Sequence, residues 1–515
     1  MPAAPSPGTA GAAPPAGVVP ANHDLPAELL EFLGRTTPQS LVIRGAPGTG
    51  KTLLALALLE SYPGRKIYVT SRVRRPNLDQ DFPTLARLAQ TGQLSVVDMA
   101  GAEGGLSAAM RAVESAQGLV TARDRSTQLR ALMLPDEVLE AWSQVAPPAP
   151  TMVVLDSWDA IIEGHVGTSS TARGTLPSRE EIERIAVSQM AEGPVLLLLV
   201  IEHREAGQLE YLVNGVVSLE REVHEDRLER WLHIDKLRGT RVARSSYPFS
   251  LEGGRFQCLP PMHLDRPNGP MGIDPRPTPC PNQVWPGSAE YASFFGPMPV
   301  GKLTLLELES EVPNAVVRIL LRPLLNDVIA RGGRVLHLPP PAMQPKEVWN
   351  IYWGTTSKEA FHRQLRLLCA PPSGESEEFA SVILPLPTMD PKGFHPRIPE
   401  AETFFAENRD PERPNLMIMS ITGMSALNAF VPGSFTPSSI PGFVLHYLHL
   451  SPAHGVFIAF AEDPLTRVVR PMADTHVRLI VREGRYFVHG VIPRTPSLVL
   501  SEGDERSPYH LRLVV

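Results

Sequence analysis

The sequence predicts an α/β fold: a parallel sheet flanked by helices, followed by a second, degenerate copy of the same architecture. Three observations predict it. Short apolar runs of strand length alternate with helical patterns through the first half of the chain. Those runs are apolar at successive positions, as in a sheet covered on both faces. The second half repeats the series in weaker form.

Residues 1–20 hold six prolines, six alanines and no charged side chain, so 1–24 reads as a disordered tail. With neither a basic n-region nor a continuous apolar run, it does not read as a signal peptide. Order is expected from Leu25, where PAELLEFLG has the pattern of a short amphipathic helix. SLVIRG (40–45) reads as a strand, KTLLALALLESY (51–62) as a helix and KIYVTS (66–71) as a strand. A helix is expected around LDQDFPTLARLAQTG, then a strand at QLSVVDMA (93–100) and a long helical stretch to about Gln144. TMVVLDS (151–157) is a strand, REEIERIAVSQMAEG (179–193) a helix and PVLLLLVIE (194–202) a strand. GVVSLEREV (215–223), RWLHIDKLRG (230–239) and YPFSLEGGRF (247–256) form a hairpin-like end and complete a first domain over 25–256.

Residues 257–290 are proline-rich with little periodicity and read as a linker. In 291–515, KLTLLELES (302–310) matches SLVIRGAPG, and GGRVLHLPPP (332–341) matches GRKIYVTSR. NLMIMSITGMSAL (415–427) matches TMVVLDSWDAI, GVFIAFAED (455–463) matches PVLLLLVIEH, and THVRLIVREGRYFVHG matches the closing hairpin. An internal duplication explains the series; an unrelated α/β domain with similar buried strands is the alternative.

The length, 515 residues, allows two to four domains at roughly 150 residues each. No apolar run approaches the roughly 20 residues of a membrane helix, so a soluble, non-membrane chain is expected. A net charge of −7 argues against a general nucleic-acid coat. Cys258, Cys280 and Cys369 are far apart and form no C-x-x-C pair, which fits a reducing cytoplasm. Lysine is rare, seven against 41 arginines, so each lysine at a chemically meaningful position carries weight.

The strongest motif is Gly45-Ala46-Pro47-Gly48-Thr49-Gly50-Lys51-Thr52, which matches G-x-x-x-x-G-K-[ST] between a strand and a helix. Its glycines let backbone N–H groups turn inward around phosphate oxygens, and the helix N-terminus adds a favourable dipole. Lys51 then reaches the β- and γ-phosphates and the Thr52 hydroxyl joins a magnesium shell. Asp156 closes the apolar strand MVVLD, where such proteins place the acid that holds magnesium through water. The motif therefore implies ATP and Mg2+ at this end of the sheet.

Lys236-Leu237-Arg238-Gly239-Thr240, followed by Tyr247-Pro248-Phe249-Ser250-Leu251 and a Gly-Gly turn, resembles the end of a KaiC-like domain of the RecA superfamily. VVLDSWDAI (153–161) is similar to that family's Walker B strand and EYLVNGVVSLER (210–221) to its late strand. The archaeal GvpD-like gas-vesicle regulators resemble the chain more closely still, in length, in one P-loop near the N-terminus and in arginine-rich segments. The resemblance implies a RecA-like first domain, a homo-oligomer, and Lys236 and Arg238 acting across a subunit boundary on the neighbour's γ-phosphate. It also exposes a departure. Where the family shows water-activating glutamates, this chain reads Tyr68-Val69-Thr70-Ser71-Arg72-Val73. A guanidinium can neither accept a proton nor orient water as a carboxylate does. Asp159, Glu163 and Glu202 are the nearby substitutes, and spacing singles out none. Arg72, Arg74 and Arg75 read as a phosphate site, an acidic-partner site or a solvated edge.

In the second half, Leu308-Glu-Ser-Glu-Val-Pro-Asn314 stands at the P-loop position and Ser420 at the magnesium acid. Two glutamates there repel a phosphate, so 291–515 reads as a degenerate RecA-like domain with a packing or recognition role. His446, His449 and His454 in LHYLHLSPAHG are read as structural, since on an extended strand the first two point to opposite faces. Two functions follow. One is a Mg-ATP-binding regulatory switch whose hydrolysis is slow or partner-dependent; the other is a non-hydrolysing scaffold that recruits a protein partner. A DNA strand-exchange enzyme is disfavoured by the acidic charge and the lack of an added DNA-binding domain.

Overall fold

The computed structural model describes residues 24–98 apart from 36, and 150–515 with breaks, the longer ones at 167–178, 188–194, 203–207, 265–281, 370–376, 421–435 and 504–508. The expected tail, the stretch from 101 to Gln144 and much of the 179–193 helix lie outside the described residues. The described residues divide into two compact units at Leu259/Pro260. Among them no helix is long and apolar enough to cross a membrane.

The first unit is built on strands β1 (Gln39–Gly45), β2 (Arg65–Thr70), β3 (Leu94–Asp98), β4 (Thr151–Asp156), β5 (Val195–Val200), β6 (Gly215–His224), β7 (Arg227–Leu237), β8 (Ser246–Ser250) and β9 (Gln257–Cys258). They form one sheet in the order β3-β2-β4-β5-β1-β6-β7-β8-β9. From β3 to β6 every pairing is parallel, and β7 to β9 add an antiparallel edge. Successive residues of a strand enter different cores. Leu41, Ile43, Tyr68, Met152 and Val154 pack with Leu54 and Leu58 of the helix α2 (Lys51–Ser61), preceded in the chain by the helix α1 (Ala27–Leu33). Val42, Ile67, Val69, Val153 and Leu155 pack with Trp158, Ile161 and Ile162 on the opposite face. Burial on both faces is why these strands read as continuous apolar runs.

The expected helix around 78–92 is two, Arg75–Asp81 and Pro83–Gln90. Pro83 has no N–H to donate back into a helix, so it opens the second one instead.

The second unit repeats the design. Two short pairs, β10 (Gln283–Val284) with β11 (Met298–Pro299) and β15 (Thr388–Met389) with β16 (Pro396–Arg397), stand outside its main sheet. That sheet uses β12 (Leu303–Leu308), β13 (Val335–Leu338), β14 (Leu365–Leu367), β17 (Asn415–Ser420), β18 (Ala453–Phe460), β19 (Thr475–Arg482), β20 (Arg485–Ile492), β21 (Ser497–Glu502) and β22 (Tyr509–Leu513). Its order, β14-β13-β17-β18-β12-β19-β20-β21-β22, is the order of the first sheet strand for strand. The irregularity between Val216 and Val217 in the β6–β7 ladder recurs between His476 and Val477 in β19–β20. A shared strand order alone is weak support for duplication, but a shared bulge adds to it, since bulges are features that families keep. Two RecA-like α/β units account for the architecture.

One expectation fails here. His446 and His449 lie on a helix, Ile440–Leu450, not on an extended strand. Phe443, Val444, Tyr447 and Leu448 are buried, the spacing of a helical stripe that a short apolar run disguised. His446 meets Glu402 at 3.1 Å, His449 the Leu445 carbonyl at 2.6 Å, and His454 lies between Thr304 and the Pro299 carbonyl on β18.

Candidate functional site

β1 runs through the sheet interior and ends at Gly45, from which the loop 45–50 climbs to the start of α2. In open parallel sheets ligands bind beyond the carboxyl ends of the strands, and this is such an end. The loop needs its glycines. Gly48 has φ 76° and Gly50, the N-cap of α2, φ 100°, both in the left-handed region that side chains avoid. Thr49 is buried and its hydroxyl donates to the Ala46 carbonyl at 2.9 Å, pinning the turn. Pro47 and Gly48 remain exposed at the crest.

Lys51 opens α2 and folds back into this loop. Its Nζ donates to the carbonyls of Gly45 at 2.8 Å and Ala46 at 3.0 Å, and the side chain is buried. Burial pushes its pKa down, while Glu202, Asp156 and Asp159 pull it back up. One turn position on, the Thr52 hydroxyl donates to Asp156 Oδ2 at 2.8 Å, joining the loop to β4. Tyr68 on β2 donates to the same oxygen at 2.8 Å. Tyr68 is missed by sequence reasoning because nothing in a buried tyrosine says which strand will lie beside it. The register, Tyr68 against Val154 and Thr70 against Asp156, is the signal.

Burial raises the Asp156 pKa, opposed by the Thr52 and Tyr68 hydrogen bonds and by Lys51. An acid raised in the folded state binds its proton more tightly there than in the unfolded chain. Its contribution to stability is therefore favourable at low pH and falls as the pH rises through the ordinary and then the raised value. Asp156→Asn removes that charge. We expect its melting temperature in the absence of ligand to lie above wild type at pH 7, the gap closing as the pH falls through the ordinary carboxylate range. A thermal-melt series across pH checks this; a lower melting temperature at pH 7 contradicts it.

The carboxylates that sequence could not rank are separated by their partners. Asp159 is buried and accepts from the Glu202 backbone N–H and from Arg179, both at 2.6 Å, so both its oxygens are engaged. Glu163 lies on the helix Trp158–Val166, with its side chain outside the described residues. Glu202 follows β5 and pairs with Arg72 at 2.6 Å. Of the arginine cluster, Arg72 thus faces the loop end of the sheet, while Arg75 meets Asp79 at 3.9 Å and its backbone N–H meets Asp98 at 2.8 Å.

Lys236 and Arg238 are not brought to this chain's own P-loop. Lys236 pairs with Val216, three residues down β6 from the level of Gly45, or roughly 10 Å. Its Nζ donates to the carbonyls of Glu210 and Val213 at 2.6 and 2.8 Å. Arg238 is exposed and donates to the Tyr211 carbonyl at 3.0 Å.

In the second unit the register equivalents of Gly45, Tyr68 and Asp156 are Leu308, His337 and Ser420, and Asn314 opens the helix that follows as Lys51 opens α2. Where Gly50 holds φ 100°, the cap of the helix Asn314–Ala330 is Pro313 at φ −73°, a ring that cannot adopt the P-loop turn. Glu309 accepts from the Val481 N–H at 3.0 Å and ties the loop to β19. Burial pushes His337 down to about 3, so it is neutral.

Comparison with known proteins bears on the first unit most directly. Residues 29–235 match the family model described as GvpD gas vesicle protein, P-loop domain. The chain is 25% identical over 490 residues to Protein GvpD2 of Halobacterium salinarum, covering 92% of each. It is 30% identical over 244 residues to Protein GvpD1 of the same organism, covering 46% of this chain and 41% of that one. A strand–loop–helix with the P-loop sequence at the carboxyl end of a parallel sheet lies within the matched residues, so the first unit is similar to the GvpD P-loop domain and the chain is GvpD-like.

Proposed function

We propose that the chain binds Mg-ATP at the P-loop and acts as a nucleotide-dependent regulatory switch, with hydrolysis that is slow until a partner releases it. The observation that supports this most is the junction of Lys51, Thr52 and Asp156 at one strand end. Gly45 to Gly50 would present backbone N–H groups to the phosphates, and Lys51 would leave the Gly45 and Ala46 carbonyls for the β- and γ-phosphates. Thr52 and Asp156 supply hard oxygen donors of the kind magnesium takes alongside phosphate oxygens and water, so the residues fit that ion. Magnesium, when bound, neutralises charge developing on the transferred phosphoryl group. The matching family model is described as a gas vesicle protein domain, and a regulatory role of that type is our reading for this chain.

Slow hydrolysis follows from the Arg72–Glu202 pair. Glu202 is the carboxylate we assign to orient water, and the Arg72 guanidinium 2.6 Å away occupies its Oε1, so that oxygen is not open to a water while the pair holds. Arg72→Ala should therefore raise ATP turnover, by about tenfold given that positioned bases contribute 10²–10⁴. A steady-state phosphate-release assay decides it. Unchanged or lower turnover removes Glu202 from the role and favours the second reading, a non-hydrolysing scaffold that recruits a protein through its second unit.

The first test of the whole reading is ATP turnover with molar mass by light scattering, with and without Mg-ATP. Turnover that needs both an oligomer and Lys51 supports the switch. Tight binding without turnover supports the scaffold, and no binding removes both.

A further inference from the structure

β6 and β7 run past the P-loop as a hairpin, and in it Arg221 lies directly opposite Arg230. Like charges at facing positions of an antiparallel pair are destabilising, so the free chain carries a cost here that an anion would offset. The two are not interchangeable with the other arginine nearby, Arg44, whose guanidinium is taken by Glu210 and Asp235. Arg230 reaches the loop itself: its Nη1 donates to the Gly48 carbonyl at 3.0 Å. Its Nε is buried with no acceptor among the described residues. Burial and the facing Arg221 both push its pKa down. Arg221 is exposed, has no ion-pair partner among the described residues, and lines a pocket of about 100 Å³ with Gly45, Ala46, Thr49 and Ser218. Glu220 is the acidic group on that wall, and it faces His233 at 3.9 Å.

The sheet order says which end of a nucleotide this pocket meets. Asp156 on β4 and Glu202 past β5 lie on one side of β1, and β6 and β7 lie on the other. The first side holds the groups suited to the metal and γ-phosphate. We propose that Arg221 and Arg230 are a cis-acting clamp on the nucleotide's α- and β-phosphates, Arg230 exchanging the Gly48 carbonyl for phosphate oxygen. The ligand class is nucleoside di- and triphosphates alike. The clamp rests on the nucleotide reading of the P-loop but asks for more than it: two further side chains, from the same chain, on the side away from the γ-phosphate.

The experiment is calorimetric titration of ADP and of ATP, each with magnesium, into the full-length wild type, Arg221→Gln, Arg230→Gln and Lys51→Ala. Each arginine variant should bind both nucleotides about tenfold more weakly, the size of one charge-assisted hydrogen bond, with the ADP-to-ATP ratio unchanged. Free Arg221→Gln should melt at or above the wild-type temperature because a repulsion has been removed. Affinities within twofold of wild type in both arginine variants overturn the clamp while leaving the P-loop reading standing, provided Lys51→Ala still loses ATP. Loss confined to ATP also overturns it, placing the pair at the γ-phosphate, as does a free Arg221→Gln that melts several degrees lower. A wild type that binds neither nucleotide overturns the P-loop reading and the clamp with it.

Discussion

Lys51→Ala lowers the affinity for Mg-ATP about a hundredfold or more, with the fold intact. The ammonium already sits in the cradle, bonded to the carbonyls of Gly45 and Ala46, so binding phosphate requires an exchange of acceptors and no rearrangement of the chain. Neutral carbonyls are the weaker partners. Hydrogen bonds to charged groups contribute about 1.5–3 kcal/mol each, so two lost at once amount to a hundredfold or more. Alanine is the best helix former and keeps the first turn of α2. It also removes a cation whose burial is unfavourable in the free protein, and the melting temperature should not fall. Calorimetric titration with a parallel thermal melt measures both effects. A folded variant that keeps its affinity within threefold would sink the P-loop reading.

Arg238→Ala stops ATP turnover in a pure preparation, and mixing with Lys51→Ala restores part of it. This expectation comes from the resemblance to KaiC-like domains, and the geometry is compatible with it. Arg238 is exposed and Lys236 lies roughly 10 Å down the sheet from Gly45, so neither serves the P-loop of its own chain. An arginine supplied by a neighbour stabilises charge at the γ-phosphate and is worth about 10³–10⁵ in rate. Each variant alone lacks one half of every site. In a mixed oligomer, an Arg238→Ala chain keeps its own Lys51 and takes Arg238 from a Lys51→Ala neighbour. Random head-to-tail assembly gives about a quarter of the sites both halves. Recovery to that level in an equimolar mixture supports action in trans. Two inactive variants that remain inactive when mixed, despite forming mixed oligomers by light scattering, would show that Arg238 has no trans role.

Much of the site could be read directly from residue order because its chemistry is local. Gly45 to Thr52 are contiguous, and only glycine supplies φ 76° and 100° at positions 48 and 50. Asp156 was legible because an apolar run ending in aspartate is itself a local pattern. Five runs of the second unit were legible as counterparts of runs in the first, and the structure adds the shared strand order and bulge. What stayed hidden is lateral. Tyr68 meets Asp156 because β2 lies beside β4, although 80 residues lie between the end of β2 and the start of β4 in the chain. The hairpin arginines carry no signal in residue order; the register puts Arg221 against Arg230, and a hydrogen bond puts Arg230 against Gly48. The helix at 440–450 was hidden for a different reason: an apolar run of that length has no period that excludes a strand.

The sequence by itself determined that this chain is α/β, that a phosphate-binding loop stands between β1 and α2, and that its second half lacks the glycines and lysine for another. Those are properties of neighbours along the chain, where backbone freedom and side-chain type act within a few residues. Only the tertiary structure decided which partners each carboxylate takes. Asp159 is tied by Arg179 and the Glu202 N–H, while Glu202 faces Arg72. That choice depends on where β5 ends relative to β2 and β4. A hydrogen bond or ion pair is set by distances of about 3 Å between groups that the chain order leaves far apart.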